Sequence, residues 1–328
     1  MSDVAPASIV GKIVGPVGFG LMGFTRPWAP VEYSVARKVM KKALEQGANY
    51  WNGGLHYGTP TANSLHLLKN YFTTYPEDRE KVILSIKGAY NASTHEPDCS
   101  PEGIKTSIET ALSILEGTKE IDIFECARVD PNVPIETSIA TLAQFLKEGK
   151  IGGIGISEAS ETTIRRAHKV HPIAAAEIEL SLFTTDALMN GVVSACHELE
   201  IPIIAYSPLG RGWLTGKLRK YSDLAETDMR RMLPRFQPDV FDNNIKLVDA
   251  VDLIAKRKGV TLAQVAIAWV CAQGAIPIPG ATTEERVLEN FRNVELTEED
   301  LAEIQVALDR LPIKGERYGG RHEKLLNL

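Results

Sequence analysis

The sequence predicts an α/β protein in which eight strand–helix units close into one barrel, the (β/α)8 or TIM-barrel fold. Segments typical of strands and of amphipathic helices alternate about eight times along the 328 residues. The strand segments are near-continuous apolar runs, which indicates that both faces of the sheet are covered. No flexible linker or shift in composition divides the chain, so we expect residues 1–328 to form a single domain.

Eight segments have the composition of buried strands, and glycine or proline bounds most of them. The second, from Asn49 to Asn52, runs into a glycine-rich turn that carries Tyr57. In chain order the strand segments are IVGPVGFG, NYWN, VILSIKG, IDIFECARVD, IGGIGISE, AAAEIELSLF, IPIIAYSPLG and AIPIPGA.

The segments between the strands show helical spacing of apolar residues. The first ends on Gly47, which is typical of a helix carboxyl terminus. The helix after the third strand has Ser100 as its N-cap and Pro101 at its first position. The predicted helices are VEYSVARKVMKKALEQG, TANSLHLLKNYF, SPEGIKTSIETALSILEG, IETSIATLAQFLKEGK, ETTIRRAHKVH, GVVSACHELE, VDAVDLIAKRKG and LAQVAIAWVCAQG.

Two additions to a minimal barrel are predicted. The section 211–242 is charged and contains prolines, so we expect a long irregular loop after the seventh strand. TTEERVLENF and TEEDLAEIQVALDRL follow the eighth strand and predict extra C-terminal helices. Thr282 and Glu285 have the spacing of a capping box at the start of the first of them.

A doubly wound open sheet is the alternative fold. It normally places a G-x-G-x-x-G turn between the first strand and the first helix. Gly18, Gly20 and Gly23 match that motif by letter, but the chain then continues to Pro27 and Pro30 instead of opening a helix. We therefore favour the barrel.

Composition excludes several classes of function. A formal net charge of -6 and a pI near 5.7 argue against a nucleic-acid binder. The cysteines lack disulfide or metal spacing, so we expect free thiols, no metal and a reducing compartment. Without a signal pattern or a run of transmembrane length, we expect a cytoplasmic protein with no membrane partner. No sequence feature indicates a particular oligomeric state.

Barrel enzymes carry their chemistry at the carboxyl ends of the strands. Tyr57 follows the second strand, and Lys87 is the single charge in the apolar run that forms the third. A lysine that closes a buried strand is costly unless its charge is used. The alternatives are a rim aromatic for Tyr57 and, for Lys87, a rim side chain whose charged end reaches solvent.

The sequence resembles the aldo-keto reductases over nearly its whole length. The matching segments are GFGLMGF, GANYWNGGLHYG, ILSIKG, IDIFECARVD, LKEGKIGGIGISE, IAYSPLGRGWLTGK and IPIPGATTEERVLEN, in the order of that family's signatures. The residues around Trp51 and Asn52, the segment CARVDPNVPIE and the length are most similar to fungal pyridoxal reductases within the family.

The resemblance implies that Tyr57 donates a proton to a carbonyl oxygen, with Lys87 and Asn52 beside it. A tyrosine pKa is ordinarily about 10, and an ammonium about 4 Å away lowers it by on the order of three units before desolvation opposes the shift. The family usually has aspartate where this chain has Asn52. Asn52 can still hydrogen-bond Lys87 but cannot neutralise it. Loss of that anion lets Lys87 lower the pKa of Tyr57 further, but it also makes a buried Lys87 easier to deprotonate, and the sequence does not decide which effect is larger.

The substrate pocket implied by the resemblance comprises Ala127, Glu125 and Trp28. The family usually has histidine where this chain has Ala127, and the smaller residue leaves room for a substituted aromatic aldehyde. A core carboxylate is the alternative for Glu125. His56 is a possible substitute for the missing imidazole, but adjacent residues usually point apart, which argues against it.

The resemblance also implies a bound NADPH. Tyr206 would stack on the nicotinamide, while Ser157 and Glu177 would bind its carboxamide. Arg286 would bind the 2′-phosphate, although no lysine or arginine occupies 280–283 to assist it. The further cofactor residues are Gly23, Ser207, Leu209, Arg211, Gly280, Thr282, Glu289 and Asn290.

Two functions remain open from the sequence. One is NADPH-dependent reduction of a small-molecule aldehyde, with pyridoxal as the expected substrate. The other is a cofactor-sensing regulatory subunit with weak activity, because Asn52 and Ala127 depart from the family pattern.

Overall fold

The computed structural model describes residues 7–328 and centres on eight parallel strands. We number them β1 to β8: Phe19–Gly20, Tyr50–Gly54, Ile83–Gly88, Ile123–Cys126, Ile154–Ser157, Ala175–Glu179, Ile203–Tyr206 and Ala275–Pro277. Each strand pairs with its neighbours in chain order. Two backbone hydrogen bonds join the first strand to the last, from Gly18 N to Pro277 O (2.9 Å) and from Gly20 N to Pro279 O (3.3 Å). The predicted barrel is confirmed.

Helices cover the outside of the barrel. They are Tyr33–Glu45, Ser64–Thr74, Pro101–Leu115, Ile135–Lys147, Glu161–Val170, Asp186–Met189, Val192–Glu198, Pro238–Lys258, Leu262–Ala272, Glu284–Asn290, Glu298–Arg310 and Gly320–Glu323. The Ser100 hydroxyl caps its helix by accepting from Gly103 N at 3.1 Å, as predicted. Within residues 7–328, no helix is both long and apolar enough to span a membrane.

The barrel interior changes from apolar to polar along the strands. Alternate residues of each strand point inward. The buried apolar layer at the amino ends consists of Ile9, Val14, Tyr50, Ile83, Ile123, Ala175, Ile204, Ile276 and Ile278. Two residues further along β2, β3, β4 and β6, the buried side chains are Asn52, Ser85, Glu125 and Glu177. Apolar packing therefore closes one end of the barrel, and hydrogen-bonding groups fill the middle.

The first strand is shorter than predicted. Ser8–Ile9 and Lys12–Ile13 form an antiparallel hairpin, and Ile9 belongs to the apolar layer at the amino ends. The chain then passes so close to the turn after the first helix that a Cβ on Gly15 would lie 2.2 Å from Gly47 O. Of the apolar residues predicted as a strand, Val14 belongs to that layer, Phe19 is buried in β1 and Ile13 is 67% exposed.

The loop after β7 is shorter than predicted, because the helix that follows it begins at Pro238 and not at Val248. The 21-residue helix Pro238–Lys258 starts with proline at its first turn and buries Phe241 and Asn244. Asn244 Nδ2 donates to Arg235 O and to Lys314 O, both at 2.9 Å. The spacing of apolar residues did not predict this helix start, because a polar residue, Asn244, occupies one of the buried positions. Its burial depends on these tertiary hydrogen bonds.

The helix after β8 begins one residue later than predicted. Thr283, and not Thr282, is its N-cap, and the Thr283 hydroxyl accepts from Arg286 N at 3.4 Å. The capping-box rule selected the wrong threonine, because Glu285 lies three residues after Thr282, whereas Arg286 lies three residues after Thr283.

Candidate active site

The carboxyl ends of the strands show backbone strain. Ala89, Glu158 and Ser207 directly follow β3, β5 and β7, and their φ angles are 51°, 52° and 52°. Such left-handed conformations are costly for residues other than glycine and are concentrated at functional sites. This end of the barrel is therefore the candidate active site.

Tyr57 is held in a tight turn three residues beyond β2. Its backbone N–H donates to Gly54 O at 3.2 Å, and its carbonyl accepts from Ser64 N (3.0 Å) and Thr25 Oγ1 (2.7 Å). A Cβ on Gly54 would lie 3.3 Å from the phenol ring, closer than most Cβ contacts. Glycine at position 54 lets the ring lie against the strand, and the turn fixes its direction.

The Tyr57 hydroxyl lies at the polar layer of the barrel. It donates to Asn52 Oδ1 at 3.4 Å. Burial raises the pKa of Tyr57 to about 12, although the Lys87 charge opposes this shift. The sequence did not decide between the Lys87 charge and desolvation; in the protein by itself, desolvation of the phenolate is the larger effect. Tyr57 is therefore protonated at neutral pH, as a proton donor must be.

Lys87 has a carboxylate partner that the sequence did not predict. Its ammonium forms an ion pair with Glu177 Oε1, with side chains 4% and 1% exposed. Burial by itself lowers the pKa of Lys87, but the Glu177 carboxylate and other neighbours reverse this and raise it above its usual range. The anion that neutralises Lys87 is on β6 instead of β2, where the family usually has aspartate and this chain has Asn52.

Glu125 is the second carboxyl group of the polar layer. Its Oε1 accepts from Ser85 Oγ and from Asn52 Nδ2, both at 3.3 Å. Burial raises its pKa well above the usual range, and the charge of Glu177 adds to the shift. Burial therefore favours the protonated form of Glu125 next to the Lys87–Glu177 pair.

Replacing Glu125 with glutamine should make stability less sensitive to pH. The raised folded-state pKa of Glu125 means that the folded wild type retains a proton that the unfolded chain releases above about pH 4.3. Wild-type stability therefore falls as pH rises toward that pKa, and the substitution removes this contribution. The free energy of unfolding is measured with urea at about pH 5 and about pH 8. Relative to wild type, that of the variant should rise by up to about 1.4 kcal/mol per pH unit. The same difference between variant and wild type at both pH values would contradict a raised pKa of Glu125.

His56 lies against Tyr57, contrary to the expectation that adjacent residues point apart. Their ring centroids are 4.6 Å apart with an edge-to-face geometry. Burial lowers the pKa of His56 to about 3, and the Lys87 charge adds to this effect. Its Nδ1 is buried without a hydrogen-bond partner among residues 7–328. A neutral imidazole with a free ring nitrogen is thus available next to the phenol.

The residues expected to bind a nicotinamide ring lie around the same opening. Ser157 Oγ is buried and has no hydrogen-bond partner in the described part of the chain. Lys87 Nζ lies 5.1 Å from the ring centroid of Tyr206. Ser207 begins the turn after β7, and Leu209 follows it. These positions surround the polar layer, as the expectation requires.

The second expected group of cofactor residues lies where β1 and β8 meet. A Cβ on Gly23 would lie 3.4 Å from Thr282 Cγ2, so the two loops are in contact. Gly280 and Arg286 are exposed, Glu289 is half-buried and Asn290 is buried. Burial lowers the pKa of Arg26; the nearby charges of Arg230 and Arg286 add to this shift, and the charge of Asp228 opposes it. Arg230 is itself paired with Asp228 at 2.6 Å. Arg26 is therefore one further cation near Arg286 that the sequence did not indicate.

Comparison with known proteins identifies the family. Residues 16–309 match the Aldo/keto reductase family. This chain belongs to the aldo/keto reductases. It is 42% identical over 331 residues to "Probable pyridoxal reductase 2" of Schizosaccharomyces pombe, covering 97% of this chain and 98% of that protein.

A second relative and a solved structure agree with this assignment. The chain is 33% identical to "Aldo-keto reductase yakc" of S. pombe, whose name specifies NADP(+), covering 95% of this chain and 94% of that protein. A glycerol dehydrogenase from Gluconobacter oxydans superposes with a TM-score of 0.81 at 22% identity, covering 92% and 94%. The last comparison shows the fold only. As an aldo/keto reductase, the protein is a nicotinamide-dependent oxidoreductase of carbonyl compounds.

The expected pocket residues of this aldo/keto reductase differ in exposure. Ala127 is only 2% exposed, and its carbonyl accepts from Arg128 Nη1 at 2.7 Å. Trp28 is 63% exposed on the loop after β1. Glu125 lies in the polar layer, where it accepts hydrogen bonds from Asn52 and Ser85. The role of these residues in a substrate pocket stays a prediction.

The C-terminal segment contributes site residues that the sequence did not indicate. Arg317 forms a buried ion pair with Glu158 at 2.9 Å. The Tyr318 hydroxyl lies 3.0 Å from that of Tyr206, and the Arg211 guanidinium lies 4.3 Å from the Tyr318 ring centroid. The segment has no apolar periodicity, so no sequence pattern marked it. Arg211, expected at a pyrophosphate, also donates to Glu179 at 3.2 Å.

Proposed function

We propose that this aldo/keto reductase uses NADPH to reduce an aldehyde to an alcohol, with pyridoxal as its substrate and pyridoxine as its product. One observation carries the proposal: a protonated Tyr57 stands at the strand ends beside a charged, paired Lys87. The name of the S. pombe relative supports pyridoxal, and the name of the second relative supports NADP.

The free groups around the opening fit a nicotinamide. A buried polar atom without a partner is unusual in a folded protein, and the Ser157 hydroxyl is well suited to a ligand carboxamide. When bound, NADPH supplies the hydride that reduces the carbonyl carbon. Arg26 and Arg286 provide positive charge for an anionic cofactor at the β1–β8 end, whereas Arg230 is paired with Asp228.

In this proposal the protein supplies the proton. Tyr57 exchanges its hydrogen bond to Asn52 for one to the substrate oxygen and donates its proton there. The Lys87 ammonium stabilises the resulting phenolate. The tight turn from Gly54 to Ser64 keeps the phenol in position.

The regulatory-subunit alternative has less support than the sequence suggested. Its first reason was that Asn52 leaves Lys87 without an anion. Glu177 now provides that anion, so the departure at position 52 does not disable the pair. Its second reason, Ala127 in place of histidine, remains.

A steady-state assay tests the proposal. Pyridoxal and a panel of other aldehydes are offered with NADPH or NADH, and nucleotide oxidation is followed. We expect pyridoxal with NADPH to give the highest kcat/KM. If the protein binds NADPH tightly but turns over none of the aldehydes, the regulatory function is the better description.

Replacing Arg286 with alanine tests the cofactor assignment. An exposed guanidinium that binds a 2′-phosphate should contribute about 1.5–3 kcal/mol, the range for a charged hydrogen bond. We expect NADPH binding to weaken by that amount and NADH binding by much less, measured by nucleotide titration. Arg292→Ala, on an exposed turn after the same helix, is the matched control. Equal loss for both nucleotides would show that Arg286 does not contact the 2′-phosphate.

A further inference from the structure

Two donors converge on one carboxylate inside the barrel. Glu177 Oε2 accepts from Asn52 Nδ2 at 2.6 Å, and Glu177 Oε1 pairs with the Lys87 ammonium. Asn52 and Lys87 are on the neighbouring strands β2 and β3, whereas Glu177 is on β6. The carboxylate therefore links strands that do not pair with each other.

We propose that Glu177 is the positioning residue for the proton donor: it orients Asn52 toward Tyr57 and holds Lys87 as a cation. The sequence analysis assigned Glu177 to the cofactor carboxamide. It predicted no positioning residue on β6. The inference rests on the proposed reduction, because it concerns the same tyrosine.

The orientation of the Asn52 amide follows from its neighbours. Its nitrogen faces Glu177 Oε2 and Glu125 Oε1, which both accept hydrogen bonds. A flipped amide would place its oxygen against these acceptors and lose both bonds. Only the observed orientation leaves Oδ1 facing the Tyr57 hydroxyl at 3.4 Å. Glu177 thus determines which atom of Asn52 the phenol meets.

The same carboxylate explains why asparagine is compatible with position 52. An aspartate there would place a second carboxylate oxygen about as close to Glu177 as the present 2.6 Å contact. Two like charges at that separation in a buried site are strongly unfavourable unless one takes up a proton. Asn52 and Glu177 are therefore complementary, and exchanging the acid and amide between the two positions should preserve the interaction.

The charge on Glu177 also maintains the charge on Lys87. Burial disfavours the Lys87 cation, and Glu177 is the main group that opposes this effect. Without the carboxylate, Lys87 should lose its proton at lower pH. The phenolate formed in catalysis would then lack its cation over part of the pH range, so the high-pH limb of the activity profile reports on Glu177.

The test compares Glu177→Gln, Asn52→Asp and the double variant. Asp78→Asn is the matched control, because Asp78 is a buried carboxylate paired with Lys41 at 2.6 Å outside the polar layer. kcat, KM for pyridoxal and the pH profile are measured with NADPH. We expect Glu177→Gln and Asn52→Asp each to lower kcat on the order of ten- to a hundredfold. Glu177→Gln should also move the high-pH limb down by about one unit or more.

Rescue is the decisive outcome. The double variant restores one acid and one amide, so its kcat and its high-pH limb should return most of the way to wild type. Asp78→Asn should change both much less than Glu177→Gln. A double variant no better than the worse single variant, or an unmoved pH limb in Glu177→Gln, would overturn the proposal.

Thermal unfolding provides a readout independent of activity. Both single variants should have lower Tm values than wild type, and the double variant should regain most of the loss. This expectation for Tm holds even if wild type reduces none of the aldehydes. That result would reject the proposed function but not the interaction between Asn52 and Glu177. Additive losses in Tm would show that the two residues do not interact as proposed. If Glu177→Gln does not fold, an active, stable double variant supports the inference, and a double variant that also fails overturns it.

Discussion

Replacing Tyr57 with phenylalanine should lower kcat by at least about a hundredfold, the low end for loss of a general acid. Phenylalanine keeps the ring that lies against Gly54 but has no proton to give to the substrate oxygen. NADPH binding should stay near wild type, because the hydroxyl contacts Asn52 and not the residues expected to hold the nucleotide. Steady-state turnover and nucleotide titration measure the two effects separately.

Tyr33→Phe is the matched control for Tyr57→Phe. Tyr33 begins the first helix and is also partly buried, so the same atom is removed outside the polar layer of the barrel. We expect this control to have wild-type kcat. Wild-type turnover in Tyr57→Phe would remove Tyr57 from the mechanism, whereas equal losses in both variants would indicate a general effect on folding.

Replacing Lys87 with methionine should destabilise the protein by about 3–5 kcal/mol as well as reduce turnover. Removing one partner of a buried ion pair leaves the other charge without compensation. Because the pKa of Lys87 is raised, its contribution to stability is fully present below its unfolded pKa of about 10.4 and is lost only as pH rises through the folded value. The difference in free energy of unfolding between wild type and Lys87→Met, measured with urea, should therefore contain the full contribution of the ion pair at every pH near neutrality.

The double variant Lys87→Met/Glu177→Gln separates the ion pair from the packing of its side chains. Removing both charges leaves no uncompensated ion, so the double variant should be more stable than Lys87→Met. Its turnover should remain low, because Tyr57 then has no cation beside it. A double variant less stable than Lys87→Met would show that Glu177 is stabilised by other partners in the barrel.

Much of this protein was determined by local sequence patterns. Apolar strand runs and helical spacing predicted the barrel, because burial of both faces of a parallel sheet is visible in composition. Ser100 with Pro101 located a helix start, because capping involves residues close together in the chain. The positions of Tyr57 and Lys87 at strand ends follow from the same local order, and the family resemblance indicated their chemistry.

Only the tertiary structure decided how the polar residues inside the barrel are paired. The bonds from Glu177 to Lys87 and Asn52 join residues 90 and 125 positions apart. Nothing local in β6 distinguishes a carboxylate that binds a cofactor from one that binds a lysine across the barrel. The same holds for the pKa of Tyr57, where burial outweighs the nearby cation. Desolvation and cross-barrel hydrogen bonds depend on which strands face each other, and closure of the sheet determines that.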